Sequence, residues 1–397
     1  MSGKLRTALA LLATAAIVAA CSSTAATTAP TAAATTAPTV AAATPAPTTA
    51  PTTAASVAPS ASSLKIGVVT DVGRVDDKNF NQYSYEGAKA AAAKLGATVN
   101  YVVPKDSTDY AKDIQGFVDQ KYDVIVTVGF NLGTDTIKAA KANPNIWFIA
   151  VDVAPCVDAT GAPDGTYACK GDAATLLPKL IGIQFEEDQA GYLAGIVAAS
   201  ISKTGTIGQI GGINNNPAVV RYLQGYQLGA LSYNPKIKVE TGFFSTGDLG
   251  KAYGDPVWGK TYSTQFISQK HVDVLFQVAG GTGNGALDAA CAAGIAAIGV
   301  DVDQFASYPS ADKCIVTSAE KHLSNAVSQS IAAIAGNTAK GGIAKFDATN
   351  DGVGYSAFQN ATIKVPADVQ GKLDAAVAAM KAGTLKTCPD KCGTWAP

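Results

Sequence analysis

The sequence predicts an α/β protein whose parallel sheets are divided between two lobes of one chain. Three observations carry this prediction. Short apolar strand runs alternate with helix-period stretches, the pattern of parallel sheets covered on both faces. A longer helical stretch, FEEDQAGYLAGIVAASISKTG at 185–205, interrupts the rhythm. The run GTIGQIGG at 205–212 then restarts it.

The strand runs follow in order. The first unit holds LKIGVVT (64–70), TVNYVV (98–103), DVIVTVG (123–129) and IWFIAVD (146–152). The second holds GTIGQIGG, IKVETGFF (237–244), VDVLFQVAG (272–280), AAIGVDVD (296–303) and CIVTSAE (314–320). Between them lie helix-period stretches such as SYEGAKAAAAKLG, DYAKDIQGFVDQ and NGALDAACAAG. A late return of the chain is expected near 318 and again near 342. The first lobe then comprises 64–184 with 318–341, and the second 185–317 with 342–397. This is the layout of a hinged binding protein.

Ahead of the lobes, MSGKLRTALALLATAAIVAAC has a basic start and a short apolar run ending in small residues and Cys21. The run is shorter than the roughly 20 residues that span a bilayer, and it fits an export signal over 1–20. Residues 22–63 carry no charge and almost no large apolar side chain. Such a segment cannot offset its chain entropy by burial and reads as a disordered tether, extended at ~3.1 Å per residue where prolines dominate. Its Ser, Thr and Pro also suit O-glycosylation.

Formal net charge is −1, with no basic stripe, which argues against a nucleic-acid partner. A monomer is the default expectation. Six cysteines follow Cys21, in an exported chain where disulfides are permitted. They fall in neighbouring pairs, Cys156 with Cys169, Cys291 with Cys314 and Cys388 with Cys392. Sequential pairing is expected among the fifteen possible connectivities. The rival, a metal site at Cys388-x3-Cys392, has neither His271 nor His322 nearby in sequence, so no metal is expected.

In open parallel sheets, ligands sit beyond the carboxyl ends of the strands. Those ends carry Asp71 with Phe80 and Asn81, then Phe130-Asn131, Asp152, Phe276 with the glycines from Gly280, Asp301, and Lys321. Carboxylates accept from adjacent hydroxyls and aromatic faces stack on a flat ring, at about 1–3 kcal/mol per base. The set suits a molecule with a heterocycle and vicinal hydroxyls. Asp76 and Asp77 read as solvated loop residues, and His271 and His322 as surface residues. Trp258 and Tyr253 are candidates to cover the cleft.

The stretches DVGRVDDKNFNQYSYEG, TVGFN, FIAVDV, VLFQVAGGTGNG, IGVDVDQ and SAEKHLSNAV resemble, in order from about 65 to 330, the motif series of the basic membrane protein family. These are lipoproteins similar to the purine-nucleoside receptors that feed ABC importers. The resemblance implies a type I periplasmic-binding-protein fold, two Rossmann-like lobes joined by a hinge. It also implies lipidation at Cys21, extracytoplasmic anchoring and delivery of ligand to an ABC permease. Carried over by position, Phe80 and Phe276 stack on the two faces of a purine. Asp71 and Asn81 bond the base edge, and Asp152 lies near base or sugar. Asp301 accepts from the ribose with Lys321 donating, and Phe130, Val278 and Gly280 complete the pocket. The chain departs from the pattern at Asn79, at Tyr253, and in the cysteine-bracketed stretch 156–169, which reads as an insertion beside the cleft.

An enzyme is the opposing reading. VLFQVAGGTGNGALDAA followed by Asp301 resembles a dinucleotide fingerprint, but its glycines are spaced G-x-G-x-G rather than G-x-G-x-x-G. No nucleophile–base pattern accompanies it, so neither catalysis nor a cofactor is expected. A ligand sensor for a sugar or other small molecule, reporting to a membrane receptor, would use the same closing cleft.

Overall fold

The computed structural model describes residues 64–395. The expected export signal, Cys21 and the expected tether lie outside them. Two six-stranded sheets organise the described chain. The first is built from β1 (Lys65–Val69), β2 (Thr98–Val102), β3 (Val124–Val128), β4 (Trp147–Val151) and β5 (Leu180–Phe185). The second is built from β6 (Thr206–Gly211), β7 (Lys238–Phe243), β8 (Val274–Val278), β9 (Ala296–Asp301) and β10 (Ile315–Lys321). The chain then adds β11 (Gly342–Phe346) to the first sheet and β12 (Val353–Tyr355) to the second. Spatial orders are 2-1-3-4-5-11 and 7-6-8-9-10-12, one topology used twice. Only β12 runs antiparallel to its neighbour, β10.

This membership corrects the two late crossings. β10 lies wholly in the second sheet, so the first return follows Lys321 rather than 318. β11 pairs with β5 in the first sheet, so the second return follows Phe346 rather than 342. Both strands are runs of five to seven residues whose sheet is set by distant partners, not by local pattern. β5, β11 and β12 were absent from the expected strands. β5 runs straight into the helix Glu187–Ile201 with no loop to mark its end.

The strands pack on both faces. One apolar cluster joins Ile66, Val126 and Ile149 of the first sheet to Val274, Phe276 and Ile298 of the second. Each opposite face has its own cluster, around Ile125 and Phe148 in one lobe and Leu275 and Ala297 in the other. In the second lobe the helices Glu187–Ile201 and Pro217–Tyr233 pack closely. A Cβ at Gly191 would sit 2.2 Å from the Tyr222 carbonyl oxygen, and one at Gly195 2.1 Å from that of Tyr226. Only glycine permits that approach, which fixes Glu187, Arg221 and Tyr222 close to the sheet ends.

Disulfides join Cys156 to Cys169, Cys291 to Cys314 and Cys388 to Cys392, the sequential pairing. The 156–169 loop packs outward. Val157 is buried with Val153 and Leu177, and Lys141 donates to Thr160. None of its residues lines the cleft, although Asp152, just before it, does.

Candidate functional site

β1 lies between β2 and β3, and β6 between β7 and β8. At such switch points adjacent connections leave on opposite faces and open a crevice. The two crevices face each other across a cavity whose space unfilled by protein atoms, the open solvent at its mouth included, is about 560 Å³. From the first lobe, Asp71 and Val72 follow β1, Gly129 and Phe130 follow β3, and Asp152 follows β4. From the second, Asn216 lies beyond β6, Ala279 and Gly280 follow β8, Asp301 ends β9 and Lys321 ends β10. Phe80 and Asn81 open the helix Phe80–Leu95, whose first turn is anchored by Asp77. That carboxylate accepts from the backbone N–H groups of Asn79, Asn81 and Gln82 at 2.9, 3.0 and 3.1 Å. Tyr253 and Tyr222 complete the second wall.

Asp71 is held rather than free. It accepts from the Val72 amide at 2.6 Å, from the Tyr110 hydroxyl, and from Asn131 Nδ2 at 3.2 Å. Burial raises its carboxyl above the ordinary range against those three bonds. Burial likewise lifts Asp77 to about 6, partly offset by its backbone bonds. Asp152 and Asp301 both adopt the left-handed backbone, at φ 59° and 66°, which turns each strand-end carboxylate into the cleft.

Lys321 joins the two walls. Its ammonium, 3% exposed, lies 2.6 Å from Asp152, 3.6 Å from Asp301 and 3.7 Å from Glu187. Burial works against its charge, but the three carboxylates more than offset that and hold it above the usual lysine range. One ammonium cannot satisfy three carboxylates. Burial therefore keeps Asp152 and Asp301 raised despite Lys321, Asp152 to about 6. Arg221 neutralises Glu187 from behind at 2.6 Å. The Asp152 oxygen that does not face Lys321 is buried and accepts no hydrogen bond from the described protein. The ammonium also lies 4.7 Å from the centre of the Phe80 ring.

Asp71, Phe80, Asn81, Phe130, Asp152, Val278, Gly280, Asp301 and Lys321 all line this cavity. Phe276 does not. It sits mid-strand, fully buried, stacked on Tyr226 with centroids 4.9 Å apart and edge-on to Tyr222. The second-lobe aromatic rings on the cavity wall are Tyr222 and Tyr253, the Tyr253 hydroxyl accepting from Asn216 Nδ2 at 3.2 Å. Trp258 points elsewhere, its indole N–H donating to the Phe244 carbonyl. Asp77, expected in solvent, is 8% exposed because it caps a helix; Asp76 is exposed and pairs with Arg74. His271 is exposed, while His322 is half-buried between Glu320 and Asp351. Asn216 had a readable signal: it lies just past β6, the counterpart of β1. Tyr222 had none, since it lies inside a helix whose rotation is set by tertiary packing.

Over residues 64–376 the chain matches the family described as ABC transporter substrate-binding protein PnrA-like. The ABC transporter nucleoside-binding protein BmpA of Lactococcus lactis subsp. cremoris is 30% identical over 255 residues, 61% of this chain and 65% of that protein. The match thus spans just under two thirds of that relative's length. A Pyrococcus horikoshii protein described as an uncharacterized lipoprotein is 29% identical over 305 residues, 74% of this chain and 69% of that one. An ABC transporter solute-binding protein of Aeropyrum pernix K1 superposes with a TM-score of 0.69 at 22% identity, covering 83% of this chain and 94% of that one. That likeness is one of fold, the type I fold of periplasmic solute-binding proteins. Among the described residues no helix is long and apolar enough to cross a membrane. By its sequence the chain belongs to the family of PnrA-like substrate-binding proteins of ABC transporters, which are not enzymes.

Proposed function

We propose that this chain binds a nucleoside, with a purine base, between its lobes and delivers it to an ABC permease while anchored through a lipid on Cys21. One observation carries the reading of the ligand. Both lobes put aromatic rings on the cavity wall, Phe80 with Phe130 and Tyr253 with Tyr222, of which Phe80 and Tyr253 are the pair assigned to the base; the charged end is at Asp152, Asp301 and Lys321. A base stacks on the rings, and the ribose hydroxyls donate to the carboxylates while Lys321 donates back. Asp71 and Asn81 meet the base edge. A free sugar leaves both rings without a partner. A nucleotide brings phosphate to a wall where Asp71, Asp77, Asp152 and Asp301 outnumber the single ammonium of Lys321. The printed name of the Lactococcus relative, a nucleoside-binding protein, agrees with this reading. The signal and lipidation reading rests on the sequence around Cys21, and the Pyrococcus relative's description as a lipoprotein supports it.

Isothermal titration of protein freed of ligand by unfolding and refolding tests the reading. Guanosine, inosine or adenosine should bind, and ribose, guanine and guanosine monophosphate should not. Binding of ribose alone, with no response to any nucleoside, would keep the fold and overturn the ligand.

A further inference from the structure

Beneath the second wall of the cavity runs a chain of buried amides. Gln277 Oε1 accepts from the Ala279 amide at 3.1 Å, so its Nε2 faces Gln304 Oε1, at 2.7 Å. That oxygen also accepts from the Val300 amide at 2.9 Å. Gln304 Nε2 then donates to Asn284 Oδ1 at 3.0 Å, which leaves Asn284 Nδ2 to donate to the Asp77 carbonyl, at 2.9 Å, on the opposite lobe. Backbone N–H groups at one end and a backbone carbonyl at the other fix the direction of every amide, since a flip would oppose two donors or two acceptors. Gln277 and Gln304 are fully buried and Asn284 is 7% exposed. The chain is tightly housed, because a Cβ at Gly283 would lie 1.6 Å from Gln277 Oε1.

A second contact lies beside the first. Ser307 Oγ donates to the Lys78 carbonyl at 3.0 Å, again across the cleft. Lys78 holds a left-handed backbone at φ 63°. The first lobe thus offers two consecutive carbonyls, and the second offers two side-chain donors. Neither Asn284 nor Ser307 lines the cavity, but Ala279 and the Asp77 side chain do.

We propose that Asn284 and Ser307 are closure-positioning residues. They draw the Asp77–Lys78 turn onto the second lobe, and so set the affinity for every ligand by a common factor. The physical basis is a population shift. A contact made only in the closed form, and not to the ligand, raises the fraction of competent protein before ligand arrives. Asn284 has the larger share, because its partner Gln304 is held by the Val300 amide and, through Gln277, by the Ala279 amide of the cavity wall. Ser307, half-exposed, adds a weaker bond. This inference uses the nucleoside reading only for the choice of probe.

The test compares the full chain with the Asn284→Ala, Ser307→Ala and double variants. Titration with guanosine, inosine and adenosine should give an affinity loss of about tenfold in the double variant, equal for all three nucleosides. Spin labels placed at the exposed positions 121 and 236 through a non-cysteine handle should report a larger open population in the ligand-free double variant. Unequal losses among the nucleosides would make Asn284 a ligand contact and overturn the proposal. Unchanged affinity, or unchanged label distances, would overturn it as well. Should Asn284→Ala prevent folding, Ser307→Ala alone, at the half-exposed end of the contact, must still give a uniform loss of about threefold. If no nucleoside binds the parent protein, the ligand reading fails, while the ligand-free distances still decide the closure claim.

Discussion

Phe80 and Phe276 are both aromatic, both close to a strand that feeds the cleft, and both were expected to stack on the ligand. They differ in where they stand relative to the strand end. Phe80 comes 11 residues after Val69, at the mouth of a helix, and is half-exposed to the cavity. Phe276 is the middle residue of β8, paired with Gln209 on one side and Ile298 on the other. In a sheet covered on both faces, a mid-strand side chain has a helix above it, here the one bearing Tyr222 and Tyr226. The residues that line the cavity sit at or beyond the carboxyl ends of the strands, as Val278, Asp301 and Lys321 do. The second-lobe rings that reach the cavity wall are Tyr222 and Tyr253, the latter in the π-helical turn Gly250–Gly254.

That contrast divides the expected effects of truncation. Phe276→Ala should cost about 3–5 kcal/mol of stability, through the cavity it leaves against Tyr226, and should show as a large fall in Tm. A variant with normal Tm and lost binding would put Phe276 back at the ligand. Phe80→Ala and Tyr253→Ala should each weaken nucleoside binding by about 1–3 kcal/mol, with Tm of the ligand-free protein nearly unchanged. If either loses stability instead, its ring belongs to the core.

A smaller effect should follow pH. Asp77 and Asp152 titrate near 6 in the folded protein, against 3.8 ordinarily, and burial is the leading cause. The folded state therefore holds protons that the unfolded state has released. Their contribution to stability is full below about 4 and is lost as pH rises through 6. Ligand hydroxyls favour the ionised form of Asp152, so the ligand-induced rise in Tm should grow over the same window. A rise independent of pH between 4 and 7 would mean that Asp152 does not accept from the ligand. Smallest of all, Tyr253→Phe removes the bond from Asn216 and the contact with the Ile213 backbone, and should cost binding under about 1 kcal/mol. A larger loss would make the hydroxyl a ligand contact.

Much of this was legible in the sequence, and the parts that were not share a cause. Strand-end residues such as Asp71, Asp152 and Asp301 are announced by the apolar run before them. The alternation of strands and helices gives two lobes. What local pattern does not carry is which sheet a short strand joins. β11, GIAKF, reads alike for either lobe, and only its pairing with β5 assigns it. The same holds for Tyr222, whose place on the wall depends on how closely Gly191 and Gly195 let two helices approach. Asp77 was misread for a related reason. A carboxylate three residues before a helix-opening Phe-Asn can face water or cap the helix, and the three N–H groups it accepts from show that it caps.

The central claim is that each lobe contributes one ring to a single bound base. A crystal structure of the protein grown with guanosine tests it most directly. The account predicts the base between Phe80 and Tyr253, with the ribose hydroxyls within hydrogen-bond distance of Asp301 and Lys321. Guanosine bound away from either ring, or with its sugar at Asp71 and its base at Lys321, would contradict it.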